Sequence, residues 1–288
     1  PPRSTLFPYT TLFRSAVTDL SGRMVFVSPS GARLFGVQDV REALGRNLLD
    51  WVVAADRPRA AQDMEQMLAG HGGKQGIYAA QRDDGSAFYL EVKGEVLHNA
   101  QEQPHELLFI GRDITERLEA ERRLAYVSTH DALTDIYNRT FFDAEVARLR
   151  RREDAFPLSV VMMDLDGLKQ ANDRLGHSAG DELLRRTARL LGRLVRQGDV
   201  LARIGGDEFA ILLPRTNGQM ADDFSTRLRR GIEAHNLLYP EQSVQLSFGV
   251  ATAEGPQLLA AVLAAADERM YAEKMARRAK TGVSRPST

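Results

Sequence analysis

Two apolar runs, Val200 to Ile204 and Phe209 to Leu213, flank the tetrad Gly205-Gly206-Asp207-Glu208. Each run is too short and too rich in branched side chains to be a helix. The glycines permit a tight reversal, so the segment reads as a β-hairpin with adjacent carboxylates at its tip. A second apolar stretch, Ser159-Val-Val-Met-Met, runs directly into Asp164-Leu165-Asp166. If the two strands are neighbours in one sheet, Asp164 and Asp207 converge on hard cations such as Mg²⁺, which prefer carboxylate oxygen. Acids at strand ends flanked by apolar residues are costly without a compensating cation or donor. The layout suits phosphoryl or nucleotidyl transfer assisted by two cations, one at the attacking oxygen and one at the leaving phosphate. Lys169, Asn172, Asp173, His177 and Asp181 follow, interspersed with Gly176 and Gly180. That mixture fits recognition of a base and a phosphate chain better than it fits a core.

Further motifs lie on either side. Asp131-Ala-Leu-Thr134-Asp-Ile-Tyr-Asn138-Arg139 precedes these blocks, and Ala266-Asp267-Glu-Arg-Met-Tyr271-Ala-Glu-Lys274 follows them. With all of them in order, residues 131–285 resemble a GGDEF domain of the diguanylate cyclase family. The resemblance implies an α+β fold with a palm-like, mostly antiparallel sheet. It implies Mg²⁺, two per active site, on Asp164, Asp207 and the backbone carbonyl of Leu165, with Asp207 or Glu208 assisting deprotonation of a ribose 3′-hydroxyl. Asn172 and Asp181 would read guanine, because a carboxylate accepts from both the ring imino hydrogen and the exocyclic amine; GTP is then the substrate and cyclic di-GMP the product. Gly167, Leu168, Lys169, Gly206, Lys274 and Arg278 would hold substrate, chiefly its phosphates, and His177 is a further ligand-side candidate. The chain departs from the family pattern at Gly167 and Leu168, where aromatic residues are often found, and at Asp135 and Arg277, where glycine is usual. Tyr271 is expected to pack in the core.

Five residues separate the motif Arg196-Gln-Gly-Asp199 from Gly205. At this spacing the family resemblance implies an inhibitory site, with Arg196 forked onto product phosphates, Asp199 accepting from its guanine and Arg227 contributing. Product inhibition is the expectation.

Residues 16–113 carry a different pattern. Thr18-Asp19-Leu-Ser-Gly22 opens it, strands are expected near Gly76 to Gln81, Ala87 to Leu97 and Glu106 to Arg112, and Asp83-Asp84-Gly85-Ser86 supplies a turn. Together with the closing Gly111-Arg112-Asp113-Ile114-Thr115 this resembles a PAS domain, an antiparallel sheet with helices around a pocket. The pocket's ligand is not readable. The chain has no Cys, which excludes flavin-thiol photochemistry, and its six His show no paired spacing that favours haem. Residues 114–130 read as a charged amphipathic helix joining the domains, with an apolar seam suited to pairing in a homodimer.

A formal net charge of −1 gives no case for nucleic-acid binding. No apolar run is long enough to span a membrane, so a cytoplasmic location is expected. Residues 1–15 look like the translation of a sequencing adapter, which would make them non-native and poorly ordered, with the native start, and any membrane tether, missing. Two readings follow: a PAS-regulated diguanylate cyclase, or a catalytically silent GGDEF domain acting as a receptor for cyclic di-GMP or GTP.

Overall fold

The computed structural model describes residues 14–71 and 73–281. The expected adapter-derived leader lies outside the described residues up to position 13, whereas Ser15 already belongs to the first strand. Two compact units divide between Arg122 and Arg123.

The first unit runs β1 (Ser15–Thr18), β2 (Met24–Val27), α1 (Pro29–Leu34), α2 (Val40–Ala43), α3 (Arg57–Leu68), β3 (Lys74–Gln81), β4 (Ala87–His98) and β5 (Pro104–Asp113). Among the described residues its strands form one five-stranded sheet, in the order β2-β1-β5-β4-β3. Every pairing in it is antiparallel. The expected turn before β4 is present, with Gly85 at φ 86° and the Arg82 amide donating to the Ser86 carbonyl. Trp51 is 2% exposed in a core with Phe35, Phe88 and Leu90, and its indole N–H donates to Asp83. Between α3 and the sheet lies a cavity of about 40 Å³ walled mainly by Leu48, Met64, Met67, Leu90, Val92 and Phe109. No histidine lines it.

Helix α4 (Thr115–Thr129) contains the division between the units and has no buried residue. Its start is set by the Asp113 carboxylate, which accepts from the Thr115 amide. Leu124 and Val127 on it are 71% and 58% exposed.

The second unit continues with β6 (Tyr137–Asn138), α5 (Arg139–Leu149), β7 (Leu158–Leu165), α6 (Leu168–Leu175), α7 (His177–Gly192), β8 (Val200–Arg203), β9 (Glu208–Leu213), α8 (Gly218–Leu238), β10 (Leu246–Ala253) and α9 (Leu259–Thr281). Its sheet is ordered β10-β7-β9-β8-β6, antiparallel except for the parallel β6–β8 pair. Alternation along the central strands sorts side chains between two cores. Val161, Met163, Phe209 and Ile211 pack with α7 and α8 through Leu184, Leu191, Phe224 and Leu228. Val160, Ala210 and Leu212 face Phe142, Leu149, Val262 and Ala266 on α5 and α9. Burial on both faces is why β7 reads as a nearly continuous apolar run. No helix among the described residues is long and apolar enough to cross a membrane.

Candidate functional site

The central strands bring the acids together. In the β7–β9 register Asp164 stands opposite Glu208, and the Leu165 amide donates to the Asp207 carbonyl at 2.8 Å. Asp164 is 5% exposed. Its Oδ2 accepts from Lys274 Nζ of α9 at 2.5 Å, while its Oδ1 is buried without a partner. Burial pushes the Asp164 carboxyl above its ordinary value; Lys274 opposes this, and the charges of Asp207 and Asp166 add to it. Among the described residues no group of three or more His, Asp or Glu side chains is preassembled for a metal.

The glycines of the tetrad differ in what they allow. A Cβ on Gly205 would lie 2.3 Å from Glu208 Oε2, so its absence lets Glu208 fold back over the turn, whereas Gly206 faces open space. The turn is braced by Arg203, which the sequence reading did not single out. Its Nε and Nη2 donate to the Gly206 carbonyl at 3.2 and 2.7 Å, and its Nη1 pairs with Asp131 at 3.1 Å. Asp131 also accepts from the Thr134 amide and hydroxyl. The entry motif thus holds the hairpin tip through one guanidinium.

This bridge has a pH signature. Burial alone would raise the Asp131 carboxyl, but the Thr134 hydroxyl and Arg203 outweigh it and hold the group below its ordinary value. A carboxyl depressed in the folded state stabilises above its unfolded pKa, and that stability is lost as pH falls through the folded value. Arg203→Ala should cost about 2 kcal/mol near neutral pH. The gap from wild type should narrow as pH falls below about 4, leaving the part that comes from the bonds to the Gly206 carbonyl. Urea midpoints of both proteins between pH 3 and 7 check this; a gap independent of pH would contradict the bridge.

Helix α6 begins after Gly167, whose φ of 81° suits glycine and not the aromatic residue often found there. Leu168 and Lys169 form its first turn, with Lys169 exposed. Asn172 Oδ1 is buried without a partner and lies where a Cβ on Gly180 would be, at 2.0 Å. Gly180 therefore admits the Asn172 amide beside Asp181, the next residue of α7. His177 is the exposed first residue of α7, after Gly176 at φ 83°. Arg278 is exposed on α9, one turn beyond Lys274.

Two departures from the family pattern have a structural role. Asp135 adopts a φ of 62°, the left-handed region that favours glycine, and accepts from the Tyr126 hydroxyl at 2.6 Å. Arg277 donates to Glu273 at 3.2 Å and stands 3.8 Å from Asp166, which also accepts from the Ser247 hydroxyl. Glu273 takes Arg229 on both oxygens and the Phe248 amide. Burial would raise its carboxyl, but these donors keep it below the ordinary value. The network fixes α9, and so Lys274, against β10 and α8. Tyr271 is 55% exposed, not core as expected, because it lies on the solvent face of α9 opposite Ala266 and Met270.

In the loop before β8, Arg196 and Asp199 pair with each other at 3.2 Å. Arg196 Nη2 also donates to the Pro214 carbonyl and the Thr216 hydroxyl, and Arg227 of α8 donates to the Leu194 carbonyl. The structure thus places Arg196 and Asp199 on the loop that feeds the hairpin, with Arg227 reaching that loop from α8.

The second unit is an α+β domain whose palm-like sheet delivers carboxylates to the ends of two central strands, and it follows an antiparallel domain with an internal cavity. Residues 128–280 match the family described as diguanylate cyclase, GGDEF domain, and residues 13–116 match the PAS domain family. The chain belongs to the GGDEF family and carries a PAS domain ahead of that module. It is 36% identical over 180 residues to the probable diguanylate cyclase DgcE of Escherichia coli strain K12, a match covering 61% of this chain and 16% of the relative. It is 29% identical over 205 residues to a diguanylate cyclase of Vibrio cholerae, covering 69% of this chain and 63% of the relative. The chain therefore spans less than two thirds of each. Among solved structures, the coiled coil and GGDEF domain of DgcB from Caulobacter crescentus in complex with c-di-GMP aligns with a TM-score of 0.50 at 28% identity, covering 56% of this chain and 88% of that one.

Proposed function

We propose that this protein is a diguanylate cyclase that condenses two GTP molecules into cyclic di-GMP and two pyrophosphates. The observation that carries the reading is the buried Asp164 carboxylate, with one oxygen on Lys274 and the other unpartnered, opposite the Asp207-Glu208 turn. An all-oxygen donor set of Asp164, Asp207 and the Leu165 carbonyl fits Mg²⁺, which takes one or two carboxylates and completes its shell with water and phosphate. When bound, Mg²⁺ supplies charge stabilisation at the attacking and leaving oxygens.

The chain's own residues do the rest. Asn172 and Asp181 receive the guanine edge, Asn172 with an amide oxygen that has no other partner. Amides at the start of α6, near Gly167, Leu168 and Lys169, face phosphate, and Lys274 and Arg278 place cations where pyrophosphate charge develops. Asp207 and Glu208 lie beside the position from which a ribose 3′-hydroxyl loses its proton. Each module holds one GTP, so two copies of the chain face each other in a homodimer, and the exposed Leu124 and Val127 of α4 supply a seam for it. Incubating the purified protein with Mg²⁺ and either GTP or ATP tests the reading. Cyclic di-GMP is expected from GTP and no cyclic dinucleotide from ATP. Binding of cyclic di-GMP without synthesis would establish the receptor function instead.

Arg196, Asp199 and Arg227 form the product-inhibition site. Breaking the mutual Arg196–Asp199 pair lets the guanidinium fork onto phosphate. Arg196→Ala should leave initial turnover within about twofold and raise the product concentration for half-inhibition at least about tenfold, the equivalent of about 1.4 kcal/mol. Progress curves with added cyclic di-GMP measure it, and an unchanged inhibition constant would remove the assignment.

A further inference from the structure

Away from the carboxylate cluster, α7 carries a stripe of cations. Arg186, Arg189 and Arg193 line one concave surface with Leu190, and α8 and the turn after it complete the wall with His235, Tyr239 and Gln242. The hollow measures about 220 Å³, and no carboxylate lines it. Arg186 is set deep in it, its side chain 15% exposed, and donates to the Gln242 carbonyl at 3.1 Å. Glu182 is the counter-charge, shared by Arg189 at 2.6 Å and by Arg185 and Arg186 at 3.8 Å. Among the described residues Arg193 makes no ion pair.

Cations in the last turns of a helix offset its dipole, but that role does not require three of them to face the same hollow. We propose that this hollow is a binding site for a soluble anion carrying a diphosphate or longer phosphate chain, separate from the proposed catalytic centre. Guanidinium groups recognise phosphate bidentately, and a cleft of one charge sign concentrates the field on its contents. Spacing sets the length of the ligand. Arg186 and Arg193 are seven residues apart on or beside α7, about 10 Å along the axis at the helical rise. One phosphate does not span that distance, whereas linked phosphates do. Tyr239, 53% exposed with its ring 5.2 Å from that of His235, offers an aromatic wall for a group attached to the chain. The recess of Arg186 favours a molecule that enters over a flat membrane surface, although Leu237 and Leu238 beside the hollow are 83% and 73% exposed.

Calorimetric titration of the full chain with inorganic pyrophosphate, in metal-free buffer containing chelator, tests the proposal. Saturable binding at one site per chain is expected. Arg189→Gln combined with Arg193→Gln should weaken it at least tenfold, and Lys274→Ala should leave it unchanged. Both arginines are exposed, so the double variant should keep the wild-type melting temperature, and Tyr239→Ala gives an independent test with a nucleoside diphosphate. Loss of binding in Lys274→Ala, equal binding in all variants, or no binding to wild type would overturn the site. So would co-sedimentation with phosphatidylglycerol vesicles in the absence of pyrophosphate affinity.

Discussion

Asp207→Ala should lower the rate of cyclic di-GMP formation from GTP about a hundred- to a thousandfold, the scale expected when a group acting on developing charge is removed. The structure separates this loss from misfolding. The strand contact of Asp207 is made by its backbone carbonyl, which accepts from the Leu165 amide and survives the substitution. Arg203 holds the turn through the neighbouring Gly206 carbonyl. The variant should therefore unfold within about 0.5 kcal/mol of wild type, as surface substitutions usually do. Removing Asp207 also removes a charge that pushes Asp164 upward, so the Lys274–Asp164 pair should persist. A variant that folds normally and keeps more than about a tenth of the wild-type rate would move the chemistry to other residues.

The strands were legible because their pattern is local. The two runs around the glycine turn became β8 and β9, and the three strands expected in the first unit, β3, β4 and β5, begin and end within two residues of the expected positions. The α4 helix was likewise readable from its charge pattern, whereas the Asp113 carboxylate that caps it emerged only from the structure. Long-range side-chain pairs were not. Arg203 looks like an ordinary strand-end cation until the fold sets it against Asp131, 72 residues away. Lys274 lies 110 residues from Asp164, and family resemblance, not spacing, drew attention to it. Glu273 is one acid among several on a charged helix, yet α8, β10 and α9 all donate to it. Tyr271 was misread because an aromatic side chain suggests core, while the buried stripe of α9 is made by Leu259, Val262, Ala266 and Met270.

Gly249→Ala should be the most destabilising single methyl in the second unit. Gly249 pairs with Met162 in the β10–β7 register, and a Cβ there would stand 2.1 Å from the Ala266 carbonyl oxygen and 2.3 Å from the Met270 nitrogen, both backbone atoms of α9. Glycine is needed for close approach of a helix to a strand, not for a special φ. Neither side yields easily: Val262 and Ala266 seat α9 in the core, and Glu273 ties it to the Phe248 amide and to Arg229. Overpacking of this kind costs about 3 kcal/mol or more. The urea midpoint should fall accordingly at constant slope. The control is Gly192→Ala, where nothing lies within 4 Å of the added methyl and stability should be unchanged or higher by up to about 1 kcal/mol. Since Lys274 is one turn past Met270, displacement of α9 should also draw its ammonium away from Asp164. Synthesis of cyclic di-GMP by Gly249→Ala should then fall by more than the unfolded fraction accounts for, and full activity per folded molecule would show that α9 does not position the site.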